Sequence, residues 1–537
     1  MSAIALERGR LVAARTPYGL KDRLKAVPGA RWNARAASWE YPATPTVAAQ
    51  LRLVLPEAVL DQAVEQLLVD AETAAGAQAH KTADDLEPIP LTATQPWRHQ
   101  LRAYRFAEAM PAAMLALEMG CGKSKVVVDL IVNLGLNRAL IVCPLSVVDV
   151  WPAQFRSHAG APARVLALGD GGVKEKTRAL ATALEVTQGP LVVVVNYESA
   201  WREPLSSLLL AQWWPLAVLD ESHRVKAPGG KASLFCNRLR EHAARRLALT
   251  GTPMPHSPLD LYAQYRFLDP GVFGTSFVRF RTHYAVMGGY QNHQVTGFQH
   301  EDELAANFER LAFRVKASDV LDLPEVQHVT RTCRLSGEEA RVYAELASEL
   351  IAGVRSGIVT ASNALVKLLR LQQVASGYVR DDEGHDTELG TSKRALLADV
   401  LEDLPRREPV VVFCRFHHDL DTVRTVATEH GRSCAELSGR VNELAAWQRG
   451  DADVLAVQIQ AGGVGIDLTR ARYCVMFSVG YSLGEYEQAL ARVHRPGQTR
   501  PVVYVHLLAA HTVDDDVYAA LDAKRDAVEA VLERMKR

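Results

Sequence analysis

The chain has 537 residues, 48% hydrophobic and 23% charged, with a formal net charge of −1. At about 100–200 residues per domain this is enough for roughly three or four units, and the composition excludes a disordered or fibrous chain. Net charge alone makes no case for nucleic acid or an anionic membrane, although a groove can still hold its basic groups locally.

Residues 1–56 read as a small α+β unit. Residues 11–14 and 39–41 suit strands, residues 20–27 have helical spacing, and Pro28-Gly29 is a turn. The first sixty residues hold nine Lys or Arg against four acids, a difference of +5. Arg31 and Arg35 flank Trp32, a set suited to holding phosphate and stacking on an exposed base. Trp32 and Trp39 are equally suited to a small core. Residues 57–90 read as a helix and linker. An Ala-rich helical pattern covers 57–82, and 84–96 carries acids and three prolines.

From residue 91 short apolar runs alternate with helical segments. The runs at 139–143, 191–195, 216–219 and 246–249 read as parallel strands buried on both faces. A second series lies at 410–414, 454–458, 473–477 and 502–507. These divide the chain into a first α/β block (91–256), a helical insertion (257–325), a helical linker (326–390), a second α/β block (391–510) and a charged C-terminal helix (511–537). The seven cysteines are scattered, with no C-x-x-C pair, which argues against a cysteine metal site. No apolar stretch suits a signal peptide or a membrane span, so an intracellular protein with no membrane partner is expected.

Four segments carry chemistry. Met119-Gly120-Cys121-Gly122-Lys123-Ser124 enters a helix, where backbone N–H groups face phosphate oxygens. Lys123 is then placed for the β- and γ-phosphates and Ser124 for Mg²⁺. Leu117 stands where the pattern usually has its first glycine. Asp220-Glu221-Ser222-His223 follows an apolar run, so its acids fall at the C-terminal end of a strand, where open α/β sheets bind ligands. Asp220 is expected to hold Mg²⁺ through water, and Glu221 to orient and deprotonate the attacking water. Thr250-Gly251-Thr252-Pro253 follows another strand, with small hydroxyl residues suited to coupling nucleotide state to a second lobe. In residues 488–498, Arg492 and Arg495 are three apart and share a helical face or its end. Arginines placed there can stabilise γ-phosphate charge.

In this order the four segments resemble the Swi/Snf-type ATPases of helicase superfamily 2, over roughly residues 91–530. The resemblance implies an α/β fold: two RecA-like parallel-sheet lobes with helical insertions, plus the small N-terminal α+β domain. It implies ATP and Mg²⁺ as cofactors and DNA as partner. Arg98-His99-Gln100 is similar to the adenine-side segment, which implies that Gln100 reads adenine. Gly120 and Gly122 then cradle phosphate. Cys143-Pro144-Leu145 with Trp151 resembles motif Ia, and Asn196-Tyr197-Glu198 a nucleic-acid-side motif, which with Thr250 implies contacts to DNA. Asp220-Glu221-Ser222-His223 has the form seen in the annealing-helicase branch. Glu118 sits where an aspartate is common. Ser392-Lys393 and residues 410–416 resemble the opening of the second lobe. Residues 460–468, with Gly465 and Asp467 on the nucleotide side, resemble motif V. Arg492 and Arg495 are the candidate finger arginines of motif VI. Residues 11–42 resemble a HARP domain, which implies that Arg31 and Trp32 contact DNA.

The expected function is an ATP-dependent motor on duplex or branched DNA, in fork remodelling, strand annealing, repair or recombination. No segment resembles a bromodomain, chromodomain or zinc finger, so chromatin work is the less expected setting. An RNA-dependent helicase, a binding-only protein, and a motor subunit of a nuclease or defence complex are the alternatives.

Overall fold

The computed structural model describes residues 2–186, 189–288, 294–349, 351–354, 357–360, 363–460 and 466–534. The chain forms two compact units, the first running to Val320 and the second covering Leu321–Ala527.

The first unit opens with a five-stranded sheet in the order Arg31–Asn33, Ser38–Pro42, Arg10–Ala14, Ala3–Glu7 and Val59–Leu60. All its pairings are antiparallel except the last. Helix Pro45–Val54 covers it because the local signals agree. Thr44 accepts from the Val47 N–H at 3.3 Å as N-cap, Pro45 supplies a ready-made φ at the first turn, and Val47, Ala48 and Leu51 fall on one buried face. These residues share a core with Ile4, Leu11, Leu24, Trp39 and Tyr41. The continuous helix expected from residue 57 is interrupted. Val59–Leu60 joins the sheet, and Asp61 caps the helix Gln62–Gly76 by accepting from Val64 N–H at 2.8 Å. The small domain therefore continues past residue 56.

The main sheet of the first unit has seven strands, all parallel. Their order is Ala312–Val315, Ala112–Leu117, Ala243–Leu249, Trp214–Asp220, Arg138–Cys143, Leu191–Asn196 and Arg164–Leu168. The central runs are apolar and buried because helices cover both faces of such a sheet. The helical insertion expected over 257–325 needs correction. Its last strand, Ala312–Val315, is an edge of this sheet, and a hairpin pairs Ala285–Gly288 with Gln294–Phe298. Four-residue runs are too short for periodicity to separate from helix.

The second unit has a six-stranded, all-parallel sheet. Its order is Val326–Cys333, Val502–Ala509, Tyr473–Met476, Val410–Cys414, Val454–Gln458 and Cys434–Leu437. The helical linker expected over 326–390 also needs correction. Val326–Cys333 pairs with Val502–Ala509 over eight residues, and two hairpins follow. That edge strand leaves no apolar run in the sequence because most of its side chains are exposed. No described helix is long and apolar enough to cross a membrane.

Candidate nucleotide site and nucleic-acid residues

The phosphate-loop segment links the buried strand Ala112–Leu117 to the helix Lys123–Asn133. Gly120 and Gly122 have φ of +82° and +80°, values open to glycine at little cost. A Cβ on Gly122 would also collide with the Gln100 side chain. Lys123 Nζ donates to the Leu117 carbonyl at 2.8 Å, so the amine is folded back over its own loop. Ser124 sits half-buried in the first helical turn.

Gln100 is 4% exposed and its amide is engaged at both ends. Its carbonyl accepts from Trp97 N–H at 2.9 Å, and Nε2 donates to the Cys121 carbonyl at 3.2 Å. His99 Nε2 lies 2.9 Å from that same carbonyl. Gln100 thus braces the phosphate loop. Glu118 points elsewhere: its carboxylate accepts from Ala317 N–H at 2.8 Å, just past the edge strand Ala312–Val315.

Asp220 ends the strand Trp214–Asp220 and is buried. Burial first, and then the charge of Glu221, push its carboxyl up to about 7, against the pull of Lys123 and a Trp151 hydrogen bond. Trp151 Nε1 donates to Asp220 Oδ2 at 3.2 Å, and Glu221 N–H to Oδ1 at 3.0 Å. Tyr197 holds the Asp220 carbonyl at 2.9 Å. Glu221 has φ +50°, a left-handed conformation that costs a non-glycine residue about 1–3 kcal/mol and clusters at functional sites. Its carboxylate is buried, and Oε2 has no hydrogen-bond partner. His223 Nδ1 lies 3.4 Å from that oxygen and 3.2 Å from Thr250 Oγ1. Burial pushes His223 down to about 4, and the one ring nitrogen faces both groups.

Such a site suits a magnesium nucleotide. A buried carboxylate pair, one oxygen of it unsatisfied, faces the requirement that buried charge be paired or coordinated. The glycine-formed loop offers N–H groups at a helix start.

Thr250 and Asn196 are not surface groups. Thr250 is fully buried, and its hydroxyl accepts from Thr252 N–H at 3.1 Å as well as meeting His223. Asn196, 4% exposed, accepts from Lys176 Nζ at 3.0 Å and donates to Glu198 at 2.9 Å. Their polar atoms are engaged by internal partners. Arg31 and Trp32 are exposed, Trp32 at 48%. Trp32 packs edge-on against the buried Trp39 at 5.3 Å, so one tryptophan serves the core and the other presents a face.

In the second unit Arg492 is buried in the last turn of the helix Leu483–Val493. Arg495 Nη1 donates to the Ile466 carbonyl at 2.9 Å. Asp467 is exposed, and its Oδ1 accepts from Thr469 N–H at 2.9 Å and Oγ1 at 2.7 Å, which makes it a turn cap. Gly465 lies outside the described residues.

Sequence reasoning missed Gln264. Its buried amide accepts from Ser222 Oγ at 2.7 Å and donates to the carbonyls of Pro253 at 2.7 Å and Asp260 at 2.9 Å. It ties the acidic turn to the Thr250–Pro253 segment. A glutamine inside the apolar helix Leu261–Leu268 is the signal that could have revealed it.

The SNF2-related domain family matches residues 63–377. The helicase conserved C-terminal domain matches residues 392–497. Among curated relatives, Chromodomain-helicase-DNA-binding protein 1-like of Danio rerio is 27% identical over 443 residues, covering 78% of this chain and 42% of that protein. Putative protein p41 of Acyrthosiphon pisum secondary endosymbiont phage 1 is 26% identical over 446 residues, covering 78% of this chain and 94% of that protein. The chain therefore spans under half the length of the first of these relatives and nearly all of the second. A solved structure, the Sulfolobus solfataricus SWI2/SNF2 ATPase core in complex with dsDNA, matches at 22% identity and a TM-score of 0.41, covering 82% of this chain and 94% of that one.

Proposed function

Because this chain belongs to the SNF2-related domain family, we propose that it is a DNA-dependent ATPase that translocates on duplex or branched DNA. Fork remodelling, strand annealing, repair and recombination are the settings this reading favours. The observation that carries the chemistry is the buried Asp220–Glu221 pair beside the glycine-formed loop of Lys123, with Glu221 Oε2 left without a hydrogen-bond partner. DNA as the polymer is supported by the printed name of the Danio rerio relative and by the exposed, basic Arg31–Trp32 face.

Ser124 and Asp220 are the residues to hold Mg²⁺, which when bound neutralises phosphate charge. Lys123 exchanges the Leu117 carbonyl for the β- and γ-phosphates. Glu221 orients the attacking water and takes its proton. Arg492 and Arg495 are the candidates to stabilise charge on the γ-phosphate. Gly465 and Asp467 keep their proposed place on the nucleotide side.

The test is ATP turnover without nucleic acid and with single strands, duplex, fork DNA and RNA. Strong stimulation by DNA, greatest with duplex or fork, is expected, and stimulation by RNA alone would refute the DNA reading. Lys123→Ala and Glu221→Gln are expected to abolish turnover with the fold intact by circular dichroism. Normal turnover in either would refute the site.

A further inference from the structure

Among the described residues, one group of three metal-ligating side chains brings its ligand atoms within 4.8 Å of one another: His283, His300 and Glu303. The nucleotide site does not use them. His283 lies in the last turn of the helix Phe277–Tyr284, at the foot of the hairpin strand Ala285–Gly288. His300 follows the returning strand Gln294–Phe298 as N-cap of the helix Glu301–Glu309, and Glu303 is in that helix's first turn. The three thus gather the two legs of the hairpin and the element after it.

The cluster is braced from behind. His283 Nε2 is 2.9 Å from Glu303 Oε2, while the Tyr284 hydroxyl donates to the other carboxylate oxygen at 2.8 Å. That tyrosine is 4% exposed and packs on Phe273 and Phe280, and Asn307 Nδ2 donates to its hydroxyl at 3.2 Å. The Gln299 side chain donates to the carbonyls of Thr282 at 3.3 Å and His283 at 2.9 Å, which ties the residue before His300 to the backbone at His283. The two imidazoles stack at 4.4 Å and 6°, and His300 is held at φ +52°.

We propose that His283, His300 and Glu303 form a divalent transition-metal site, zinc(II) in the first instance, that clasps the base of this hairpin. Two imidazole nitrogens and one carboxylate oxygen are a three-protein-ligand set that leaves zinc a fourth position for water. Zinc–ligand distances of about 2.0–2.2 Å bring such atoms to roughly 3.4 Å from one another, so the existing spacing needs a modest contraction and a turn of the His300 ring out of its stack. The hydrogen bonds that orient Glu303 and the His283 backbone are the outer support such ligands need. A lone two-stranded hairpin is marginal in water, and a clasp at its base addresses that weakness.

The test uses the full-length protein, stripped with chelator and titrated with ZnCl₂ calorimetrically. One zinc ion per chain at micromolar affinity or tighter is expected. His300→Asn is the primary variant, since asparagine tolerates the left-handed backbone, and His283→Gln is the second. Both are expected to lose the stoichiometric site and keep basal ATP turnover. Cobalt(II) loading should give the visible absorption of a tetrahedral site in the parent chain alone. Zinc should slow proteolysis within the hairpin in the parent chain and not in the variants. No stoichiometric binding, or equal binding in both variants, overturns the proposal and leaves a hydrogen-bonded cluster only.

Discussion

A single hydroxyl shows how tightly the acidic turn is tied to the segment after the next strand. Thr250 Oγ1 meets His223, which in turn faces Glu221, and it also accepts from Thr252 N–H. Thr250→Val keeps the shape and removes those bonds. An unsatisfied buried group costs about 1–3 kcal/mol, so a lower melting temperature is expected together with a fall in DNA-stimulated turnover of about tenfold or more. Stimulated turnover equal to that of the parent chain would show that these contacts do not bear on catalysis. Lys123, Asp220 and Glu221 stand out in sequence as candidates because the proposed chemistry needs a fixed local order. Gln264, Trp151 and Tyr197 acquire their roles through contacts 42, 69 and 23 positions away, which no local pattern displays. Trp151 belongs to a sequence motif, but its indole N–H reaches Asp220 only through the fold.

Among elements, the edge strand Val326–Cys333 meets a buried histidine. His506 on the neighbouring strand lies 3.0 Å from His328 and 3.2 Å from the Tyr518 hydroxyl. Burial, then the nearby His328 and Arg525 charges, push His506 down to about 4, and burial lowers His328 as well. A histidine depressed on folding contributes fully above its unfolded value of 6.5, and that contribution is lost as pH falls toward 4, because the unfolded chain takes the proton first. About 1 kcal/mol is lost for the first pH unit below the unfolded value. The parent chain is therefore expected to lose more melting temperature between pH 7.5 and pH 5.5 than His506→Gln does, read by calorimetry. Parallel pH profiles would refute this. The buried central strands were visible as apolar runs. The edge strands Ala312–Val315 and Val326–Cys333 were not, one for its brevity and the other for its exposed side chains.

Across the whole molecule, a chain with net charge −1 carries its basic excess at the front. Arg31, Trp32 and Arg35 are exposed on or just after the outermost strand of the N-terminal sheet. Replacing all three with Ala is expected to leave ATP turnover without DNA unchanged and to weaken stimulation by fork DNA more than by plain duplex. Equal loss with both substrates would count against a fork-directed role for this face. Deletion of the domain is a poorer test, because its helix Pro45–Val54 packs on the segment Pro270–Phe273 and a Cβ on Gly271 would meet Thr44 and Val47. By itself the sequence determined the α/β class, the two parallel-sheet blocks, the phosphate-loop segment and the acidic pair at a strand end. Those features follow from apolar runs and from chemistry confined to a few consecutive residues. Only the tertiary structure decided which strands close each sheet, that Asn196 and Thr250 turn inward, and that His283, His300 and Glu303 meet at the foot of one hairpin. Scattered cysteines had spoken only against a cysteine metal site. A histidine–carboxylate group drawn from two chain segments takes shape only when the backbone between them folds back on itself.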